Sequence, residues 1–121
     1  MDVVYADYQS AKPVDPRVVA AMTPYLTERF GNPSSLHAVG DEATTALEES
    51  RARIAAFFGA QPREIVFTSG ATEANNIGII GYATRNKRKG DHVVISEAEH
   101  ISVHNIVKWL VKNGFRVTTV P

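Results

Sequence analysis

Two short turns hold most of the residues that could do chemistry. The first, Thr68-Ser69-Gly70-Ala71-Thr72-Glu73, joins an apolar run to a helical pattern through small residues. Small side chains let backbone amides approach a ligand closely. The leading amides of a helix are unpaired and lie at the positive end of its dipole, so an anion is favoured there. Thr72 adds a hydroxyl donor, and a phosphate is the anion that best uses several such donors. The same residues also suit a plain helix cap, with Ser69 or Thr72 capping and Glu73 complementing the dipole. No Gly-Lys-Ser/Thr follows, so this is not a Walker loop, and the G-x-G-x-x-G pattern is missing too.

The second turn, Ser96-Glu97-Ala98-Glu99-His100, brings an imidazole to the start of another helical pattern. A histidine there can stack on a planar ligand or move protons near neutral pH, and it equally suits a residue that caps or lines the helix start. His100 and His104 stand i, i+4 beside Glu97 and Glu99, a spacing that can hold a metal. However, the run lacks the glutamate of H-E-x-x-H, and no third ligand is evident. His37, Asn75, Asn76 and Lys12 are weaker candidates, for which loop chemistry, cap-region polarity and a solvated lysine are sufficient accounts. Trp109 and the Phe57-Phe58 pair read as core or interface residues. The basic run at 85–90 ends a helical pattern, where cations complement the dipole.

These turns need elements to hold them. Asp15-Pro16 starts a helix, since Asp caps free amides and Pro fits the first turn. Val18, Val19, Met22 and Leu26 form its expected buried stripe, up to about Phe30, and the turn chemistry of residues 31–35 breaks it. A second helix runs from about Asp41, with Ala43, Ala46, Leu47, Ser50, Ile54, Phe57 and Phe58 at helical spacing and Gly59 as its stop. Residues 64–68 read as a strand. Thr72 to about Arg88 reads as a helix with Ile77, Ile80, Gly81 and Thr84 on one face. His92–Ser96 is a second strand. His100–Asn113 is a helix striped by Val103, Ile106, Val107, Leu110 and Val111, Gly114 ends it, and Phe115–Val120 is a third strand. This alternation with short links implies a parallel sheet with right-handed crossovers. Ligands of such sheets bind beyond the carboxyl ends of the strands, where both turns lie.

The composition sets outer bounds. The 121 residues carry 13 Lys+Arg against 13 Asp+Glu, a formal net charge of zero, so there is no long-range field for nucleic acid or anionic lipid. At 44% hydrophobic and 21% charged, the chain reads as globular rather than disordered. No apolar run approaches the ~20 residues that span a bilayer, and the acidic start does not read as a secretory signal. There is no cysteine, so this chain has no disulfide, no thiolate-bound zinc and no thiol nucleophile, which is compatible with a reducing cytosol.

Four stretches, in order along the chain, carry a resemblance: 7–16 (DYQSAKPVDP), 30–37 (FGNPSSLH), 64–76 (EIVFTSGATEANN) and 96–100 (SEAEH). Together they resemble the N-terminal part of the cysteine desulfurases, in the class V aminotransferase family of pyridoxal-phosphate enzymes. The first stretch is most similar to archaeal members. The resemblance implies an α/β fold, a partial three-layer parallel-sheet large domain of the fold-type I pyridoxal-phosphate transferases. Residues 1–40 would form an N-terminal arm, first helix and active-site loop, and 41–121 an incomplete βαβαβ portion of the cofactor-binding domain. It implies that Gly70, Ala71 and Thr72 cradle the phosphate of pyridoxal 5'-phosphate, with Thr72 supplying its hydroxyl. It also implies that His100 is the catalytic imidazole that stacks on the pyridine ring and assists proton transfer.

The implied activity converts L-cysteine to L-alanine and an enzyme persulfide for iron–sulfur cluster assembly, in a cytoplasmic homodimer that passes sulfur to a scaffold or other acceptor. Neither nucleic acid nor a membrane is an expected partner. In the family, the Schiff-base lysine, the aspartate paired with the pyridine nitrogen and the persulfide cysteine lie beyond the position of Pro121. Lys108 and Lys112 do not match the lysine's place, so no turnover is expected of this chain alone. Residues 9–12 also depart from the commoner Ala/Thr-rich version of their segment. The alternatives are another class V aminotransferase or lyase, a non-catalytic phosphate-binding α/β module, or an interaction partner without a ligand. With part of its sheet missing, the chain is expected to expose apolar surface and to be unstable or self-associating.

Overall fold

A computed structural model describes residues 3–121. Two compact units divide between Ile65 and Val66.

The first unit carries two helices. Helix α1, Pro16–Thr27, begins as its sequence predicts: the Asp15 carboxylate accepts from the Arg17 amide at 2.8 Å, and Pro16 opens the first turn. Helix α2, Ala38–Phe58, starts slightly before the expected position. It ends at Gly59, whose φ of 65° is the left-handed conformation that a Cβ disfavours. The amides of Gly59 and Ala60 then close onto the carbonyls of Ala56 and Ala55. The loop between α1 and α2 is tied to α2 by the Thr44 hydroxyl, which donates to the Pro33 carbonyl at 2.7 Å. Arg29 reaches across to Glu42 at 2.7 Å. The expected stripe of α1 is not buried: Val18, Val19, Met22 and Leu26 are all exposed, because no described element lies over them. Phe57 and Phe58 are exposed as well and stack edge to face on each other.

The second unit holds the sheet. Its helical run is continuous from Ala71 to Asn86 but not uniform: α3, Ala71–Asn75, passes through a wide π-helical stretch, Asn76–Ile80, into α4, Gly81–Asn86. Strand β1, His92–Ser96, leads to helix α5, Ile101–Lys112, and back to strand β2, Arg116–Val120. The strands pair in parallel, His92 opposite Arg116 and Ser96 opposite Val120. Thus the α/β class and the parallel sheet hold. The expected strand over 64–68 is not formed. Ile65 has extended backbone angles, but the run has no ladder partner and Val66 is exposed, so the sheet among the described residues has two strands.

The core of this unit is Ile106, Leu110 and Phe115, packed by Ile79, Ile80, Ala83, Val93 and Val117. The inward face of the preceding helical run therefore differs from the expected one. Ile80 packs on the core as expected, whereas Ile77 is half exposed and Ile79 and Ala83 join the core face. A π stretch carries more residues per turn than an α-helix, which displaces the stripe from its 3.6-residue register. As expected, the chain exposes many large apolar side chains, among them Leu36, Leu26 and Tyr82. No helix among the described residues is long and apolar enough to cross a membrane.

Candidate functional site

The two chemical turns lie in the same unit, at the starts of α3 and α5. At the first, Gly70 precedes the helix in an extended conformation with no side-chain cap, and the helical bonding begins with the Ala74 amide on the Gly70 carbonyl at 3.1 Å. The amides of Ala71, Thr72 and Glu73 therefore come before the ladder, at the positive end of the run. A Cβ built on Gly70 would meet nothing within 4 Å, so the turn is open to a ligand. Among the described residues the Thr72 hydroxyl has no hydrogen-bond partner. Glu73 turns back to Ser69, accepting from its amide at 2.6 Å and from its hydroxyl at 2.7 Å. The backbone bond first, then the hydroxyl, hold the Glu73 carboxyl below its ordinary range. Ser69 is thereby occupied, which leaves the donors of residues 70–72. Amide and hydroxyl donors at a helix start are suited to an anion.

At the second turn, His100 is the N-cap of α5. Its Nδ1 accepts from the Ser102 amide at 3.1 Å and lies 2.9 Å from the Ser102 hydroxyl. That hydroxyl also accepts from Asn75 Nδ2 at 2.9 Å. Asn75 sits one turn after Thr72 on the run that opens at Ala71, so the structure ties His100 to the helix of the first turn through the Ser102 side chain. A cleft of about 490 Å³, lined by Asn75, Ile79, Ile95, Ser96, Glu99 and Val120 among others, reaches the carboxyl ends of β1 and β2. This is the end at which open parallel sheets bind ligands. A larger cleft of about 580 Å³ lies along Ile79, Tyr82, Gly90, His92 and Phe115, and its mainly apolar walls offer no cluster of anion donors.

The weaker candidates find local roles. Asn75 joins Ser102, and Asn76 Nδ2 donates to the Thr72 carbonyl at 2.8 Å. In the first unit, His37 caps α2 by accepting from the Gly40 amide at 3.3 Å, and Lys12 is exposed. Sequence reasoning missed Ser102. The available signal was a hydroxyl two residues after a cap-position histidine, where side chains commonly bond the cap. Among the described residues there is no group of three or more His, Asp or Glu that could hold a metal.

Residues 4–121 match the family model described as aminotransferase class V. The chain is 56% identical over 117 residues to the cysteine desulfurase IscS 1 of Archaeoglobus fulgidus, covering 97% of this chain and 31% of that protein. It is 52% identical over 116 residues to the cysteine desulfurase IscS of Neisseria meningitidis, covering 95% and 29%. It thus spans about a third of the length of the curated relatives it matches. Among solved structures, SspA in complex with cysteine superposes with a TM-score of 0.83 at 39% identity, covering 96% of this chain and 33% of that one. A NifS-like protein superposes with a TM-score of 0.85 at 35% identity, covering 95% and 32%.

Proposed function

Because the chain belongs to the aminotransferase class V family, we propose that it is the N-terminal, cofactor-phosphate-binding part of a cysteine desulfurase. Such an enzyme converts L-cysteine to L-alanine and a persulfide that supplies iron–sulfur cluster assembly. The observation that carries this reading is the pairing of an open anion turn at Gly70–Thr72 with an imidazole held to the same helix through Asn75 and Ser102. The desulfurases similar to this chain across nearly its whole length support the same reading.

In it, the amides of Gly70, Ala71 and Thr72 and the Thr72 hydroxyl bind the phosphate of pyridoxal 5'-phosphate. The helix start favours that charge without any fixed cation. His100 covers the ring and holds a proton at an imidazole nitrogen. When bound, the cofactor supplies the electron sink, while the protein orients it. The similar SspA chain, solved in complex with cysteine, supports L-cysteine as the substrate. The sulfur goes to a scaffold or other acceptor, a second copy completes a homodimer, and the compartment is the cytoplasm.

Titration of the chain with pyridoxal phosphate, pyridoxal and ATP tests the reading. Weak, non-covalent binding of pyridoxal phosphate is expected, with pyridoxal and ATP weaker still. Tighter binding of ATP would favour a general phosphate-binding module. Absence of binding by any phosphate compound in a folded chain would overturn the cradle.

A further inference from the structure

Resting on that reading of His100, we propose that Ser102, steadied by Asn75, is a positioning residue that fixes the imidazole with its proton on Nε2. Ser102 is buried, at 5% exposure, and a buried hydroxyl needs its bonds made. The Asn75 amide nitrogen, 2.9 Å from Ser102 Oγ, can only donate, so it takes an acceptor site of the hydroxyl. The single hydroxyl proton is then directed at His100 Nδ1, 2.9 Å away. The Ser102 backbone amide approaches the same nitrogen at 3.1 Å and also can only donate. Two donors converge on Nδ1, so Nδ1 offers its lone pair and the neutral ring carries its proton on Nε2.

The consequence is directional. His100 is exposed, so its outward nitrogen is a donor with a defined orientation. Asn75 lies on the helical run that starts with the anion turn, so the ring is oriented from the element that would hold the cofactor's phosphate. Ser102 and Asn75 act through His100 and need touch no ligand themselves.

Long-range proton–nitrogen NMR of the imidazole in the 121-residue chain reads this tautomer with no cofactor added. The expected wild-type pattern is an unprotonated Nδ1 and a protonated Nε2, with ring order parameters near the rigid-backbone value of about 0.85. Ser102→Ala, with its helix content checked by circular dichroism, should move both nitrogen signals towards the averaged values of free imidazole. It should also lower the ring order parameter below about 0.6. Ser102→Thr should restore both, and Asn75→Ala should give a smaller change of the same sign. A wild-type proton on Nδ1, or a folded Ser102→Ala with wild-type signals, overturns the proposal. Should Ser102→Ala fail to fold, Asn75→Ala decides, and unchanged signals there overturn it. Failure of pyridoxal phosphate to bind while the tautomer stays locked would sink the functional reading alone.

Discussion

Glu73 closes back on Ser69, its Oε2 lying 2.6 Å from the Ser69 amide and 2.7 Å from the Ser69 hydroxyl. A carboxylate one residue into the run from Thr72 would repel an anion if it pointed at the same amides. Turned back, it complements the dipole, holds the Ser-Gly turn in shape, and leaves residues 70–72 to a ligand. The helix-cap reading and the anion-site reading of this turn are therefore compatible: Ser69 and Glu73 serve the first, and Gly70 to Thr72 serve the second.

This closure should be visible in the pH dependence of stability. Bonds from Ser69 lower the folded-state pKa of Glu73 below its ordinary 4.5. The contribution is then fully present above about pH 4.5 and is lost as pH falls through the lower folded value. Asp15 beside Arg17 and Asp91 beside Arg116 are lowered too, so total stability falls in the same acid range. The diagnostic is the difference in denaturation midpoint between wild type and Glu73→Gln. It should be largest near pH 7 and shrink towards pH 3. A difference that stays constant over this range would refute the assignment.

Thr72→Ala removes one hydroxyl donor from the proposed phosphate cradle and leaves the backbone amides. A hydrogen bond to a charged group contributes about 1.5–3 kcal/mol, so the variant should bind pyridoxal phosphate roughly 10-fold more weakly or worse. Pyridoxal, which lacks the phosphate, should bind wild type and variant alike. Equal losses for both ligands would mean that the variant had disturbed the fold rather than the cradle.

Local signals predicted the elements that close on their own neighbours. The Asp15 cap, the Gly59 stop and helix α5 depend on residues a few positions apart, and their periodicity and capping chemistry are complete in the chain. What failed needed information from elsewhere. The 64–68 run is extended in type but becomes a strand only with a ladder partner, and no described strand pairs with it. The Ile77 stripe followed an α-helical period that the Asn76–Ile80 stretch does not keep. Val18, Val19, Met22 and Leu26 mark an apolar face, yet periodicity cannot supply the element that covers it. At the site, Gly70–Thr72 and His100 were legible as types, whereas the Asn75–Ser102 bond spans 27 residues and belongs to the packing of two helices.

The core of the second unit gives a sharper contrast within one helix. Leu110 is fully buried, packed in the cluster of Ile106 and Phe115. Leu110→Ala should cost about 2–5 kcal/mol through lost burial and a residual cavity. Its neighbour Val111, which the periodicity places on the same stripe, is instead more than half exposed, and Val111→Ala should stay within about 0.5 kcal/mol. Chemical denaturation of both variants measures the difference, and similar values would show that α5 does not pack as described.

In the first unit, Gly40 is a position where a single methyl group should matter. It is buried in the first turn of α2, and a Cβ there would collide with the backbone carbonyl of Ser35 and lie 2.9 Å from the Ser35 Cβ. The loop has little room to retreat. Ser35 donates to the Asn32 carbonyl at 2.9 Å, Ser34 to the Asn32 side chain at 2.9 Å, and Thr44 grips Pro33. Gly40→Ala should therefore destabilise by about 1–3 kcal/mol despite the better helix propensity of alanine. Gly78 makes the control, because a Cβ there would meet nothing within 4 Å. Gly78→Ala should stabilise by about 0.5–1 kcal/mol, since alanine loses less backbone freedom in a helical run. Opposite signs in the two denaturation midpoints are the expected result. A stabilising Gly40→Ala would mean that residues 32–37 do not lie against α2.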